Sequence, residues 1–209
     1  MRIKICGLFR EEDIDFVNEA RPNYIGFVFA KSSRQISAPL AQYLRFRLAD
    51  DIIPVGVFVN APIHFITELY QNGIISIAQL HGTEDESYIS QLKKQSVTAI
   101  RQTKNEPIKV IKTIIHENIK TKVLLPSSAD YILLDSGAGS GKTFNWDKLL
   151  SLKTKRPWFL AGGIDLENIN KAMELEPFAL DISSGAETKG VKDREKILKL
   201  VAAVKGSKK

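Results

Sequence analysis

The stretch Tyr24-Ile-Gly-Phe-Val-Phe29 is apolar at nearly every position. A strand with one wet face alternates polar and apolar residues. One that does not alternate is covered on both faces, as in a parallel sheet wrapped by helices. Seven further runs read as strands: Arg2 to Cys6, Ile53 to Val59, Ile77 to Leu80, Ile108 to Ile114, Tyr131 to Leu134, Trp158 to Ala161 and Phe178 to Ile182. Between them lie segments with helical spacing or helix-start signals: Glu11 to Glu19, Pro39 to Leu48, Pro62 to Gln71, Glu84 to about Lys104, Ile119 to Leu125, Trp146 to Leu152, Leu166 to Glu174 and Asp193 to Val204. In the last, Ile197, Leu198, Leu200, Val201 and Val204 form one apolar stripe. Eight strand–helix units in 209 residues leave about 26 residues each, close to the minimum for a right-handed βα crossover. The expected fold is α/β, a single-domain (β/α)8 barrel over residues 1–209. A doubly wound open sheet uses the same units and is the alternative. Strand five can be placed at Val97 to Arg101 or at Ile108 to Ile114. Pro107 stops a helix ahead of the second run and β-branched residues fill it, which favours the later placement.

Composition narrows the function classes. Net charge is +6, hydrophobic content is 44%, and there is one cysteine. One thiol forms no intramolecular disulfide, and His64, His81 and His116 are far apart, without zinc-site spacing, so a reducing cytoplasm is expected. No run reaches the roughly 20 apolar residues of a membrane span, and no signal-peptide stretch opens the chain. Part of the charge sits in Lys205, Lys208 and Lys209, read as a flexible basic tail over residues 205–209. Without a Lys/Arg block interleaved with aromatics, the remaining excess suits an anionic small substrate as well as nucleic acid.

On a barrel, chemistry gathers where strands end. The strand ends here are Cys6-Gly7, Lys31 to Arg34, Asn60, Gln79 to Gly82, Asp135-Ser-Gly, Ala161-Gly-Gly163 and Asp181 to Gly185. Gly162 and Gly163, with Ser183, Ser184 and Gly185, would aim backbone N–H groups at a common point and read as a phosphate cradle. Cys6 and Asp135 end strands one and six and can face each other across a substrate as base and acid. The plain alternative makes Cys6 a small buried hydrophobe and Asp135 a turn cap. Arg34 can grip a carboxylate bidentately, and His81 fits either a pocket or a structural role. The loop Ser136-Gly-Ala-Gly-Ser-Gly-Lys-Thr143 misses the nucleotide-binding P-loop pattern by one residue, because Ser136 stands where the first glycine is required.

In order along the chain, Lys4-Ile-Cys-Gly-Leu8, Gly26-Phe-Val-Phe29, Ser32-Ser-Arg34, Val55-Gly-Val-Phe-Val-Asn60, Gln79-Leu-His-Gly82, Leu133-Leu-Asp135, Gly139-Ser-Gly-Lys-Thr-Phe-Asn-Trp146, Leu160-Ala-Gly-Gly163 and Asp181-Ile-Ser-Ser-Gly-Ala-Glu187 resemble the phosphoribosylanthranilate isomerase family of tryptophan biosynthesis. The chain departs from the family's usual residues at Ala138, Asn145 and Ala186. The resemblance implies a cofactor-free and metal-free Amadori rearrangement, with Asp135 as acid and Cys6 as base. It also implies Gly162, Gly163, Ser184 and Gly185 on the phosphate, Arg34 on the anthranilate carboxylate, Asp181 on the sugar hydroxyls, and Gln79 and His81 lining the pocket. The partner is then a small molecule carrying phosphate and carboxylate, with no nucleic acid or membrane. Monomer and homodimer are both compatible. Another phosphosugar isomerase on the same barrel, or a nucleotide hydrolase working through Lys142, are the alternatives.

Overall fold

Eight parallel strands pair in chain order and close on themselves: β1 (Arg2–Cys6), β2 (Tyr24–Val28), β3 (Ile53–Phe58), β4 (Ile77–Leu80), β5 (Lys109–Ile115), β6 (Tyr131–Asp135), β7 (Trp158–Ala161) and β8 (Ala179–Ile182). Closure excludes the open doubly wound sheet. The computed structural model describes residues 1–98, 106–115, 128–135 and 156–206. The helices are α1 (Glu11–Ala20), α2 (Ala38–Arg47), α3 (Ile63–Gln71), α4 (Glu86–Thr98), α5 (Ile169–Glu174) and α6 (Arg194–Gly206). The segments expected as helices near 119–125 and 146–152, the glycine-rich loop at 136–143 and Lys142 lie outside the described residues.

The non-alternating strands are explained by two separate apolar clusters. One lies between sheet and helices and takes Ile3 and Ile5 of β1, Ile25 and Phe27 of β2, Ala78 and Leu80 of β4, Ile132 and Leu134 of β6, and Leu180 and Ile182 of β8. The other takes residues of the opposite parity: Tyr24, Val55, Ile77, Ile111, Leu133, Phe159, Ala161 and Ala179. Successive strand side chains point to opposite faces, so the first set faces the helices and the second fills the barrel interior.

Strand five falls where the later placement puts it, pairing with both β4 and β6. Among the described residues, three boundaries differ from expectation by two residues or more, each for a local reason. The helix expected from Glu84 begins at Glu86, because the Glu84 carboxylate turns inward to accept from Asn60 N, Gly82 N and Lys112 Nζ. The helix expected from Leu166 begins at Ile169, because Asp165 and Asn168 bond each other's backbone in a turn. The expected basic tail starts too early: Lys205 and Gly206 belong to α6, where the Lys205 ammonium donates to the Arg21 carbonyl at the end of α1. In α6, four of the five stripe residues read from sequence, Ile197, Leu200, Val201 and Val204, are buried and cover α1 and β1, whereas Leu198 is only half-buried. Among the described residues, no helix is long and apolar enough to cross a membrane.

Two features bear directly on the strand ends. After β8 a short 3-10 turn (Ser184–Ala186) leads into a two-stranded hairpin, β9 (Glu187–Thr188) and β10 (Val191–Lys192), that sequence reading did not anticipate. The closing seam between β1 and β8 sets Lys4 opposite Asp181.

Candidate active site

The C-terminal ends of the strands surround one open cavity of about 660 Å³, within the range of small-molecule sites. Its wall includes Cys6, Arg34, Gln79, His81, Asp135, Gly162, Gly163, Asp181, Ser183 and Ser184. The structure therefore gathers nine of the ten strand-end candidates besides Arg34, and Arg34 with them. Gly185 is the exception. It stands off the wall because its Cα lies against the backbone of Ile164, and a Cβ there would collide with the Ile164 carbonyl oxygen. Its role is to let the turns after β7 and β8 pack together, which brings Ser183 and Ser184 beside Gly162 and Gly163. The last two hold φ of +94° and +65°, a left-handed turn open to glycine without strain.

Cys6 ends β1 and is nearly buried, with its carbonyl accepting from Ser183 Oγ at 3.1 Å. Two residues earlier on the same face lies Lys4, fully buried inside the barrel. Its ammonium donates to both carboxylate oxygens of Asp181, at 3.0 and 2.9 Å, and to Gln79 Oε1 at 2.9 Å. Burial alone would strip Lys4 of its charge, but Asp181, with a smaller contribution from Cys6, outweighs it and lifts the ammonium above the ordinary lysine range. Burial likewise pushes the Cys6 thiol up; the Lys4 ammonium opposes this, Asp181 reinforces it, and the thiol ends above its usual value. The cavity therefore favours the neutral thiol over the thiolate. Asp181, expected on the sugar hydroxyls, and Gln79, expected as pocket lining, are first of all the partners of a buried lysine.

Across the mouth, Asp135 ends β6 and His81 follows β4, with His81 Nε2 3.5 Å from Asp135 Oδ2. The loop carrying His81 is fixed by its own N–H, which donates to the Phe58 carbonyl at 2.8 Å, and by the Glu84–Lys112 pair at 2.9 Å behind it. Arg34 sits on the rim. Its Nε and Nη2 donate to the two oxygens of Glu187 at 2.6 and 2.7 Å, and Glu187 also accepts from the buried Lys192 at 2.5 Å. Burial raises the Glu187 carboxyl, but Arg34 and Lys192 together hold it below the usual range.

Lys4, Glu187 and Lys192 were not among the residues singled out as site candidates. Lys4 had a signal: a charge in the middle of an otherwise apolar inner strand must find a buried partner.

The family profile described as N-(5'phosphoribosyl)anthranilate (PRA) isomerase matches residues 3–203. The N-(5'-phosphoribosyl)anthranilate isomerase of Endomicrobium trichonymphae is 44% identical over 207 residues, covering 96% of each chain. The crystal structure of phosphoribosyl anthranilate isomerase from Thermus thermophilus superposes with a TM-score of 0.82 at 31% identity, covering 100% of both chains. A crystal structure of phosphoribosyl anthranilate isomerase in complex with reduced 1-(o-carboxyphenylamino)-1-deoxyribulose 5-phosphate superposes with a TM-score of 0.76 at 30% identity, covering 99% of each. A profile match across nearly the whole chain, on a closed barrel with this mouth, places the chain in the N-(5'-phosphoribosyl)anthranilate isomerase family.

Proposed function

We propose that this chain converts N-(5-phosphoribosyl)anthranilate to 1-(2-carboxyphenylamino)-1-deoxyribulose 5-phosphate, in the cytoplasm, as a step of L-tryptophan biosynthesis. The observation that carries the reading is the placement of Cys6 and Asp135 on the wall of one cavity that also holds the paired glycine and serine turns after β7 and β8. Among solved relatives, one is bound to a molecule of the product's skeleton, a carboxyphenylamino group joined to a deoxyribulose phosphate.

The rearrangement needs two proton movements. Asp135, as general acid, gives a proton to the furanose ring oxygen; the C1–O bond breaks and the nitrogen lone pair forms a C1=N bond, giving an open-chain Schiff base. Cys6, as thiolate, then takes the proton from C2, and the electron pair moves through C1 to nitrogen. The enolamine tautomerises to the amino ketone. All atoms stay on the substrate apart from exchangeable protons, so the residues supply only position and proton transfer. The backbone N–H groups of the turns at Gly162–Gly163 and Ser183–Ser184 hold the phosphate. Gly185 acts by keeping those turns together. Asp181, braced by Lys4, presents its remaining lone pairs to sugar hydroxyls. Gln79 and His81 line the walls, and Arg34 receives the anthranilate carboxylate.

The C2 proton makes Cys6 work as an anion, whereas burial favours the thiol, so turnover draws on the thiolate fraction. The C2 proton-transfer step, taken by itself, therefore speeds up as pH rises toward the thiol's elevated titration range. Loss of anthranilate-adduct fluorescence on incubation with the purified protein tests the activity. No turnover by the folded protein would overturn the reading, as would wild-type kcat/KM in Cys6→Ala and Asp135→Ala.

A further inference from the structure

Arg34 would be a poor anion receptor on its face. A guanidinium already forked onto a carboxylate carries little net charge to offer a second one. The groups behind it change that balance. Glu187 is shared between Arg34 and Lys192, so two cations stand on one anion and the cluster keeps a net positive charge at the rim. Lys192 is fully buried and also donates to the Ser183 carbonyl at 3.1 Å. The Glu187 carboxylate is only 5% exposed and lies off the cavity wall, which Arg34 reaches.

The fork also fixes which part of Arg34 faces the substrate. Nε donates to one Glu187 oxygen and Nη2 to the other, a planar two-point contact that sets the orientation of the whole group. Nη1 takes no part in it. The aliphatic stem is held as well, since Arg34 Cδ packs against Gly7 so closely that a Cβ there would collide with it. Gly7 has φ +82°, so the backbone is built for this approach. Ordering a long side chain costs conformational entropy; here folding has already met that cost before substrate arrives.

We propose that Glu187, supported by Lys192, is a positioning residue that presents the Nη1 edge of Arg34 to the cavity and thereby makes the site selective for substrates with a carboxylate on the aryl amine. The inference rests on the reading of Arg34 as the carboxylate anchor. A staple that merely held the β9–β10 hairpin to the loop after β2 would show the same ion pair, but it would not distinguish between substrates.

Two substrates separate these roles: the adduct of ribose 5-phosphate with anthranilate, and the adduct with aniline, which lacks the carboxylate. The readout is the ratio of kcat/KM for the first over the second. Glu187→Gln is expected to lower that ratio about tenfold, the value of roughly one charge-assisted hydrogen bond, chiefly through KM for the anthranilate adduct. Glu187→Asp, which keeps the charge on a shorter arm, is expected to recover part of the loss. If Glu187→Gln does not fold, Glu187→Asp carries the same test through its own fall in the ratio. An equal loss on both substrates, or no loss on either, would overturn the proposal. Arg34→Ala tests the underlying reading separately: if it leaves the ratio unchanged, Arg34 is not the carboxylate anchor. With that reading intact, the double variant Arg34→Ala/Glu187→Gln is expected to lose no more of the ratio than Arg34→Ala alone, and a further loss would show that Glu187 does not act through Arg34.

Discussion

The two ends of the barrel interior are made by the same eight strands, with side chains of the same parity, yet they are chemically opposite. Toward the strand starts, Phe159 is fully buried and meets Tyr24, Tyr131 and Phe178 with ring centroids 5.6 to 5.7 Å apart. These are geometries that aromatic rings favour. Toward the strand ends, the same strands offer Cys6, Gln79, Asp135 and Asp181 to an open cavity. One end is plugged by these rings, with a smaller opening of about 300 Å³ beside them that Tyr24, Ile77 and Tyr131 line; the other opens into the larger cavity of about 660 Å³, walled by ionisable groups. The floor holds the strands together so that the mouth can carry ionisable groups that would weaken a closed core. Lys4 lies between them, too deep to be solvated and close enough to Cys6 to influence it.

That contrast can be tested by substitution. The largest effects belong to the mouth: Cys6→Ala and Asp135→Asn are each expected to lower kcat/KM by about 10²- to 10⁴-fold, with urea denaturation showing stability little changed. Phe159→Ala should do the reverse, costing about 3–5 kcal/mol of stability in urea denaturation, while kcat in the folded fraction stays near wild type. If Phe159→Ala instead lowers kcat as far as the Cys6 variant does, the division between floor and mouth fails. Lys4→Met should break the division at its boundary. It leaves the Asp181 carboxylate buried without its cation, at about 3–5 kcal/mol, and also lowers kcat/KM because the thiolate loses its nearest buried cation. Arg34→Ala is expected to raise KM for the anthranilate adduct about tenfold to hundredfold at similar kcat, read from initial rates.

The smallest effect is a pH dependence of stability. The folded state raises the titration of both Cys6 and Lys4. The unfolded chain therefore releases these protons first, and stability present below the ordinary thiol value of 9.0 is lost as pH rises through the folded values. Cys6→Ala should flatten the decline in denaturation midpoint above that pH, and an unchanged slope would remove Cys6 from this account.

The fold was more legible in the sequence than the electrostatics of the site. Strands buried on both faces leave continuous apolar runs, so all eight were placed, including β5, whose β-branched residues outweighed the competing run at Val97 to Arg101. Polar strand ends likewise pointed to Cys6, Asp135 and the two glycine turns. Pairings across the closed barrel left no local trace. Lys4 and Asp181 are 177 residues apart, and Arg34 and Glu187 are 153 apart. No spacing rule connects such positions, and only closure brings them together. The β9–β10 hairpin, with two residues per strand, is too short for any periodicity to register. Glu187 and Lys192 consequently became visible only in three dimensions.

The seam between β1 and β8 has a consequence in time. Lys4 is made almost at once, but its counter-ion arrives only with Asp181 in the last barrel strand. Until then an ammonium meant for a dry interior has nothing to neutralise it, and burying it early would be costly. An unpaired ammonium makes burial of β1 alone unfavourable, and its pairing with Asp181 favours closure once β8 is present. Cys6 on β1, the turns after β7 and β8, and Arg34 through its partner Glu187 all depend on that final pairing, so an incomplete chain lacks the complete mouth.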